Sequence, residues 1–534
     1  MLKILLMKKM IFKTGIYTLC GMLFLQACTK KLDLTPTNDV TSETVYSTAA
    51  GYKQVLAKVS GAVALTGNQG PAGNGDVQGI DEGFSDFYRL FWKAQELSTD
   101  EAVISWGDVG IQDFHNMNWS PNNSFLTGLY YRCLYQITLC NDFIREAADD
   151  KLSARGISGS DADNIRQYVR EVRFLRAFQY WVLMDLYGNP PFVTEASVIG
   201  GPPPPQASRS EIFGYVENEL KALEANMPAP RSNEYGRADR AAVWALLARL
   251  YLNAQVYTNT ARYADAQAYA KKVIDAAYTL VPDYRWLMLA DNHLNGSEFI
   301  FSINYDGTKT QGFGGTTFLT HASVGGSMSA TSSGVGGGWS GIRTTKNLVN
   351  LFPDQTGTID KRAQFYTAGQ NLEITNLTDF TSGFAVTKYK NVKRDGSIGQ
   401  SPDFADVDMP LFRLAEMYLI YAEVVARGAG GDPALAVQYI NNLRTRAYGN
   451  ANGNISAGLL TPDFILEERA RELYWEGHRR TDLIRFNKFT EAGYLWPWKG
   501  GVASGTGVDA YRKLYPLPSR DVNVNLNLKQ NTGY

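Results

Sequence analysis

Carboxylates are the side chains of this sequence that come closest to a catalytic arrangement. Hydrolysis of a glycosidic bond needs two carboxyl groups across a cleft, and Glu467-Glu468 offers two neighbouring carboxyls. Glu468, Glu472 and Glu476, however, recur at helical spacing among several arginines. Acidic and basic side chains three or four residues apart meet on one face of a helix. We therefore predict a solvated or ion-paired helix face, and no catalytic pair.

The other side chains that could bind a metal ion are isolated. The four histidines are His115, His293, His321 and His478. None has a second histidine or a cysteine at the spacing that zinc sites use. Asp403, Asp406 and Asp408 are rich in oxygen ligands, but they lack the glycine and terminal glutamate of an EF-hand loop. The sequence thus predicts no metal site and no cofactor.

One glycine-rich segment, residues 336–341, satisfies the dinucleotide-binding pattern Gly-x-Gly-x-x-Gly. That pattern binds a pyrophosphate where it joins a strand to a helix. Here no hydrophobic strand precedes the segment and no helical run follows it. The sequence also contains no P-loop and no nucleophile elbow. Together these observations predict a protein that is not an enzyme.

The composition restricts the possible partners. The chain has 534 residues with 52 basic and 53 acidic side chains, so it lacks the positive field that nucleic-acid binding requires. A hydrophobic fraction of 44% argues against a disordered chain. The unusual feature is the combination of 10 Trp, 30 Tyr and 25 Phe with 50 Gly. Some of these rings must lie in glycine-rich loops.

The N-terminus has the pattern of an export signal. A basic beginning is followed by an apolar run at 16–25, which is too short to span a membrane comfortably. The run ends in Leu25-Gln26-Ala27-Cys28, which is similar to a bacterial lipobox. We predict a signal peptide at 1–27, lipidation of Cys28 and a tether at 28–42. An ordinary secretory signal with an incidental cysteine is the alternative.

Two further cysteines, Cys133 and Cys140, lie in a segment of helical character. Seven residues along a helix span about 10.5 Å, which exceeds the ~7 Å limit on the Cα separation of a disulfide. We therefore predict two buried thiols and no bridge.

Hydrophobic periodicity divides the remaining chain. Helical patterns occupy about 43–277 and 409–489, an irregular glycine-rich region lies at about 278–408, and a C-terminal segment follows at 490–534. Ser208 and Glu211 form a capping box that predicts a helix start. Thr461-Pro462 predicts another, with proline at the first helical position.

The helical blocks contain a weak internal repeat. Residues 244–251 fit the tetratricopeptide pattern, in which a small residue is followed one turn later by tyrosine. The matching pairs are Ala248 with Tyr251, Ala415 with Tyr418, Ala177 with Tyr180, and Gly128 with Tyr131. The small residue lets a neighbouring helix approach, and the tyrosine fills the groove. We predict divergent helix pairs, which normally form scaffolds or binding surfaces rather than catalytic sites.

Several segments together resemble the SusD/RagB family of surface lipoproteins. Besides the lipobox, they are EVRFLRAFQY at 171–180, LYGNPP at 186–191, FRLAEMYLIYAE at 412–423, ELYWEGHRR at 472–480, YPLP at 515–518 and NTGY at 531–534. Asp521 departs from the glutamate that the family often has there. The resemblance implies a mainly α fold with four tetratricopeptide-like helix pairs and a large irregular part that binds the ligand. It also implies a surface-exposed outer-membrane lipoprotein that binds glycans beside a SusC-like TonB-dependent transporter.

The resemblance narrows further, to the starch-binding founder of that family. The segments that carry this likeness are GIDEG at 79–83, FYR at 87–89, ELSTDE at 96–101, GFGGTT at 312–317, GWS at 338–340 and YLWPWKGG at 494–501. The resemblance implies an arc of aromatic rings formed by Trp106, Phe313 and Trp339. It implies polar contacts to sugar hydroxyls from Asp81, Arg89 and, across a small length difference, Asp108. Phe313 stands where the founder has tyrosine.

The chemistry of sugars agrees with this assignment. A pyranose offers an apolar face and a rim of hydroxyls, so flat rings with few polar anchors bind it. Glycines around Phe313 and Trp339 leave room for a ligand, whereas Trp92, Trp244 and Trp475 lie in helical patterns and are predicted to be core. We therefore predict a binder of starch or malto-oligosaccharide. Binding of another glycan, or glycoside hydrolysis by an unrecognised carboxylate pair, are the alternatives.

Overall fold

Helices dominate residues 42–534, the part of the chain that the structure, a computed structural model, describes. The predicted signal peptide, Cys28 and the tether up to residue 41 lie outside that part. The helices are α1 (Ser42–Val45), α2 (Ala49–Gly61), α3 (Phe87–Glu96), α4 (Asp113–Asn116), α5 (Ser124–Glu146), α6 (Asp149–Ala154), α7 (Gly159–Tyr187), α8 (Arg209–Glu224), α9 (Arg240–Leu252), α10 (Ala254–Thr258), α11 (Tyr263–Ile274), α12 (Gly315–Ala322), α13 (Lys346–Val349), α14 (Leu414–Ala426), α15 (Pro433–Tyr448), α16 (Pro462–Leu473), α17 (Arg479–Arg485) and α18 (Ser519–Val524). None of these helices combines the length and the apolar character needed to cross a bilayer.

Short strands form three two-stranded antiparallel sheets in the described residues. Strand β1 (Val103–Ile104) pairs with β3 (Ile342–Arg343), β2 (Phe299–Ile303) with β6 (Met409–Arg413), and β4 (Phe365–Tyr366) with β5 (Ala385–Val386). The first pair places Val103 opposite Arg343 and so joins chain segments that are far apart in sequence. The predicted mainly α class with a large irregular part is confirmed.

Both predicted helix starts are present. The Glu211 amide donates to Ser208 Oγ over 3.3 Å, and the Ser208 amide donates to Glu211 Oε2 over 2.7 Å, which completes the capping box of α8. Thr461 caps α16, with Pro462 as the first helical residue. Local sequence therefore determines where these two helices begin.

The helices pack in pairs, as the repeat predicts. Helix α5 packs against α7, α7 against α8, α8 against α9, α9 against α11, and α14 against α15 and α16. Three of the four tyrosines of the repeat contact an aromatic ring on a neighbouring helix: Tyr180 with Tyr215 at 5.3 Å, Tyr251 with Tyr269 at 5.7 Å, and Tyr418 with Tyr439 at 4.5 Å between centroids. Tyr131 instead donates to Asp521 Oδ1 over 2.6 Å. The preceding small residues are buried. This is the groove-filling arrangement that the pattern predicts.

The predicted core positions of the two cysteines and three tryptophans are confirmed, but one tryptophan was wrongly assigned to a helix. Cys133 and Cys140 are free and buried in α5. Trp92 is buried on α3, and Trp244 on α9 is half-buried against the core. Trp475 is buried as predicted, but it follows the end of α16 with φ 64°, so its assignment to a helix was wrong. Its indole donates instead to the Glu101 carbonyl over 3.0 Å.

The glutamates of the predicted helix face are buried. Glu468 and Glu472 are 0% exposed on α16, and Glu476 lies beyond the helix end at Leu473. The expectation of ion pairing is confirmed and that of solvation is wrong, because arginines from other segments cover this face. The ion-pair network consists of Glu298, Asp360, Arg362, Lys388, Arg413, Arg444, Arg446, Glu468, Arg471, Glu472 and Glu476.

Candidate functional site

The β1–β3 pair brings Trp106 and Trp339 together. Trp106 lies two residues after β1 and Trp339 three residues before β3. The Ser105 amide donates to the Gly341 carbonyl over 2.8 Å, and Trp106 Nε1 donates to the Trp339 carbonyl over 3.1 Å. The two ring centroids are 6.4 Å apart with an interplanar angle of 44°.

The close approach of the Trp106 ring to the backbone requires glycine at position 341. A Cβ atom at this position would lie 2.6 Å from Cζ2 of Trp106, which is too close for any side chain. The absence of a side chain at Gly341 therefore allows the Trp106 ring to lie against the backbone next to Trp339.

Helix α12 supports the second tryptophan. The Trp339 amide donates to the His321 carbonyl over 2.9 Å, and the imidazole stacks on the indole with centroids 4.7 Å apart. Burial lowers the pKa of His321, which keeps its ring neutral at pH 7. Because the Gly337 carbonyl only accepts, His321 Nδ1 donates to it over 2.8 Å. His321 thus holds the loop that carries Trp339.

Phe313 precedes the start of the same helix. Gly315, the first residue of α12, has φ 52°, a conformation that glycine adopts readily. Its amide donates to Asp86 Oδ1 over 2.8 Å, and the Phe313 carbonyl accepts from Arg89 Nη1 over 2.6 Å. These bonds fix the backbone on both sides of the Phe313 ring.

The three rings form one surface, called here the aromatic platform and defined as Trp106, Trp339 and Phe313. Phe313 lies 6.2 Å from Trp339 between centroids, with an interplanar angle of 68°. Each ring is half-buried, so part of it reaches solvent. The planes are inclined to one another, and the platform is therefore stepped rather than flat. The structure thus brings the predicted rings together.

Arg89 lies beneath the platform. It is 5% exposed, and its guanidinium lies 5.5 Å from the Trp106 centroid and 4.7 Å from that of Phe318. Burial lowers the pKa of Arg89 to about 10, against the opposing effect of Asp86, Asp108 and Asp81, so the group stays charged at neutral pH. Its observed contacts position the platform. Its role towards a ligand hydroxyl stays a prediction.

The two predicted aspartates lie near this guanidinium and are exposed. Asp81 Oδ1 accepts from the Gly83 amide over 2.8 Å, and Asp108 lies in the loop that follows Trp106. Both carboxylates act on the pKa of Arg89, which places them close to it. All six predicted residues therefore lie in one region of the protein, with Arg89 buried beneath the rings, and their binding roles remain predictions.

Two residues that contact the platform rings, His321 and Phe404, were not predicted from the sequence. His321 was considered only as a metal ligand, and nothing in its spacing indicates that it stacks beneath Trp339. Phe404 lies 5.8 Å from Phe313 between centroids, at an angle of 38°, and is half-buried. An isolated phenylalanine in a loop carries no pattern that distinguishes it from a core residue.

Two of the three carboxylates of residues 403–408, those of Asp406 and Asp408, accept backbone hydrogen bonds within the fold. Asp406 Oδ1 accepts from the Gly307 amide over 2.7 Å, and Asp408 Oδ1 accepts from the Tyr305 amide over 2.8 Å. Burial raises the pKa of Asp408 to about 6. Across residues 42–534 no three His, Cys, Asp or Glu side chains are grouped in a way that could hold a metal ion.

Comparison with known proteins identifies the family. The model of the SusD family matches residues 360–534. The starch-binding protein SusD of Bacteroides thetaiotaomicron is 35% identical over 95% of this chain and 96% of its own length. The chain belongs to the SusD family. This membership confirms the resemblance that the sequence motifs indicated.

Solved structures of SusD homologues share the fold. A SusD homolog from Bacteroides thetaiotaomicron superimposes with a TM-score of 0.72 at 18% identity, covering 92% of this chain and 99% of that one. Surface glycan-binding protein A of the same species, solved in complex with laminarihexaose, gives a TM-score of 0.68 at 21% identity, covering 90% and 99%. The SusD fold therefore extends over nearly the whole chain.

Proposed function

We propose that this protein binds starch-like α-glucan at the cell surface, without catalysis, and delivers malto-oligosaccharides to a SusC-type TonB-dependent transporter. The observation that carries the proposal is the aromatic platform. Three inclined, half-buried rings, of which Trp339 contacts both others, suit the apolar faces of successive sugars along a curved chain.

The polar groups around the rings suit an uncharged ligand. The exposed carboxylates of Asp81 and Asp108 can accept hydrogen bonds from sugar hydroxyls. The charged guanidinium of Arg89 lies between the backbone and the rings, where it supports the site. With a formal net charge of −1 the protein has no strong field of its own, and a neutral glucan needs none.

The choice of α-glucan follows from a relative. The 35% identical protein is named for starch binding, and the segments that contain Phe313 and Trp339, together with residues 96–101 before Trp106, resemble segments of that protein. The complex of a structural homologue with laminarihexaose favours a second candidate, the same role for a different glycan.

The anchoring and the partner rest on the family and on the N-terminal motif. Lipidation of Cys28 would hold the protein at the outer membrane, facing outward. Replacing Cys28 by serine should release the protein into the aqueous fraction when cells are lysed without detergent. Retention of this variant with membranes in cells that lack the transporter would contradict the proposed anchor.

A panel of soluble polysaccharides tests the ligand. In affinity gel electrophoresis, we expect amylopectin to retard the protein and laminarin to leave its mobility unchanged. Retardation by laminarin alone would replace the first candidate by the second. Trp244→Ala serves as a matched control, because it removes a half-buried tryptophan on α9 that belongs to the scaffold. This variant should migrate like the parent protein.

Catalysis is tested with the same ligands. After incubation with maltoheptaose, we expect bound oligosaccharide and no increase in reducing ends. A steady increase that the purified protein sustains would establish a glycoside hydrolase and contradict the proposal.

A further inference from the structure

A fourth ring continues the series of aromatic contacts beyond the platform. Ring contacts run from Trp106 to Trp339, from Trp339 to Phe313, and from Phe313 to Phe404. The three centroid separations are 6.4, 6.2 and 5.8 Å. Phe404 is half-buried, as the platform rings are, so part of its ring reaches solvent. The spacing and exposure of the platform are therefore repeated once more.

Phe404 is attached to the same helix as Phe313. The amide of Ala405, the next residue, donates to Thr317 Oγ1 over 2.9 Å, and Thr317 lies in the first turn of α12. The Phe404 amide donates to Ser401 Oγ over 3.3 Å. The segment of Phe404 is thus bonded to the helix that Phe313 directly precedes, which lowers the entropic cost of ordering the two rings around a ligand.

The loop of Phe404 also contacts the segment that carries Trp339. The Gly336 amide donates to the Pro402 carbonyl over 2.8 Å, which joins the two loops. Asp403, directly before Phe404, is exposed and has a carboxylate that can accept from hydroxyl groups. The combination of a half-exposed ring and an adjacent exposed carboxylate is also what Trp106 and Asp108 present.

We propose that Phe404 and Asp403 form an additional sugar subsite beside Phe313, which extends the platform by one sugar unit. The ring supplies the stacking surface and the carboxylate accepts a hydroxyl hydrogen. The subsite rests on the proposed function, and it makes the protein select longer oligosaccharides over shorter ones.

Isothermal titration with maltotriose, maltopentaose and maltoheptaose tests the subsite. The measured quantity is the ratio of the affinity for maltoheptaose to that for maltotriose. In Phe404→Leu, which keeps apolar volume but removes the flat face, this ratio should fall about threefold to tenfold. Phe404→Trp should keep the ratio or raise it, because it enlarges the stacking surface.

Phe464→Leu is the matched control, since it changes a half-buried phenylalanine of α16 in the smaller hydrophobic cluster. It should leave the ratio unchanged. A ratio in Phe404→Leu equal to that of the parent protein would overturn the subsite while the proposed function stands. An equal loss for every oligosaccharide would also overturn it, because Phe404 would then only support Phe313.

The two failures can be distinguished. If the parent protein binds no malto-oligosaccharide but binds laminari-oligosaccharides, the same ratio is measured on that series, with the same expected fall. If the parent protein binds neither series, the proposed function fails first, and the subsite falls with it.

Discussion

The ion-pair network and the aromatic platform both gather chemically distinctive side chains, but they differ in how fully these groups are paired. In the network, Glu472 accepts from Arg413 Nη1 over 2.7 Å and also contacts Arg446 and Arg362. All of these groups are buried and their charges are compensated. The platform rings contact one another in series and are only partly buried. In this protein the cluster of charged side chains stabilises the fold, whereas the partly exposed rings form the candidate site.

The difference has an energetic basis. Removing one partner from a buried ion pair leaves an uncompensated charge and costs about 3 to 5 kcal/mol. Removing a half-exposed ring costs the protein less, but deprives a sugar of its stacking surface. Substitutions in the two regions should therefore affect different measurements.

The largest effect is expected from Glu472→Gln. The neutral amide leaves Arg413 and Arg446 without their full compensating charge, so the free energy of unfolding should fall by about 3 to 5 kcal/mol in urea titrations. Glu467→Gln is the control, because this side chain on the same helix is 51% exposed and should change stability by less than about 1 kcal/mol. Equal effects of the two variants would show that the network contributes little.

The second largest effect is expected from acid, which should lower the stability that ionised Glu472 contributes to the network. Burial raises the pKa of Glu472, but Arg446, Arg413 and Arg362 outweigh that effect and lower it to about 2. Because the folded pKa is depressed, the associated stability is present above pH ~4.5 and is lost as the pH falls towards ~2. This contribution amounts to about 3 kcal/mol. Urea unfolding between pH 7 and pH 3 should show this decline, and Glu472→Gln should decline less steeply. Parallel curves would contradict the assignment.

Arg89→Lys tests a charge that belongs to the platform. Lysine keeps the charge, but it lacks the planar guanidinium, which donates from Nη1 to the Gly83 and Phe313 carbonyls and lies over the Trp106 and Phe318 rings. We expect a loss of about 2 kcal/mol in stability and weaker glycan retention, measured by urea unfolding and affinity gel. Loss of stability with full retention would show that Arg89 does not position the rings.

The smallest effect is expected from Phe313→Tyr. The added hydroxyl provides one more hydrogen bond to a sugar, worth about 0.5 to 1.5 kcal/mol, and leaves the stacking face in place. Titration with maltoheptaose should show a severalfold gain in affinity with little change in melting temperature. A loss of affinity would mean that the ring edge faces away from the ligand.

Local signals predicted much of the fold. The Ser208 capping box, the proline after Thr461 and the tyrosines of the repeat all act within a few residues of sequence, where pattern and structure are directly linked. The covering of Glu472 could not be predicted in the same way. Helical periodicity shows which residues share a face, whereas Arg413 and Arg446 reach that face from other segments.

The candidate site was predicted through motif resemblance, and the limits of that approach are visible in its neighbours. Trp339 and Phe313 lie in recognisable segments, and Trp106 follows one at residues 96–101. His321 and Phe404 contribute through packing that no short motif records, and the positive φ of Trp475 depends on contacts with residues far away in sequence.

The double variant Trp106→Ala, Trp339→Ala tests the central claim most directly, in an affinity gel containing the glucan that retards the parent protein, with thermal unfolding of the same samples. We predict loss of retention with a melting temperature within a few degrees of that of the parent protein, and full retention by Trp244→Ala. Undiminished retention by the folded double variant would contradict the assignment of the platform as the glycan site.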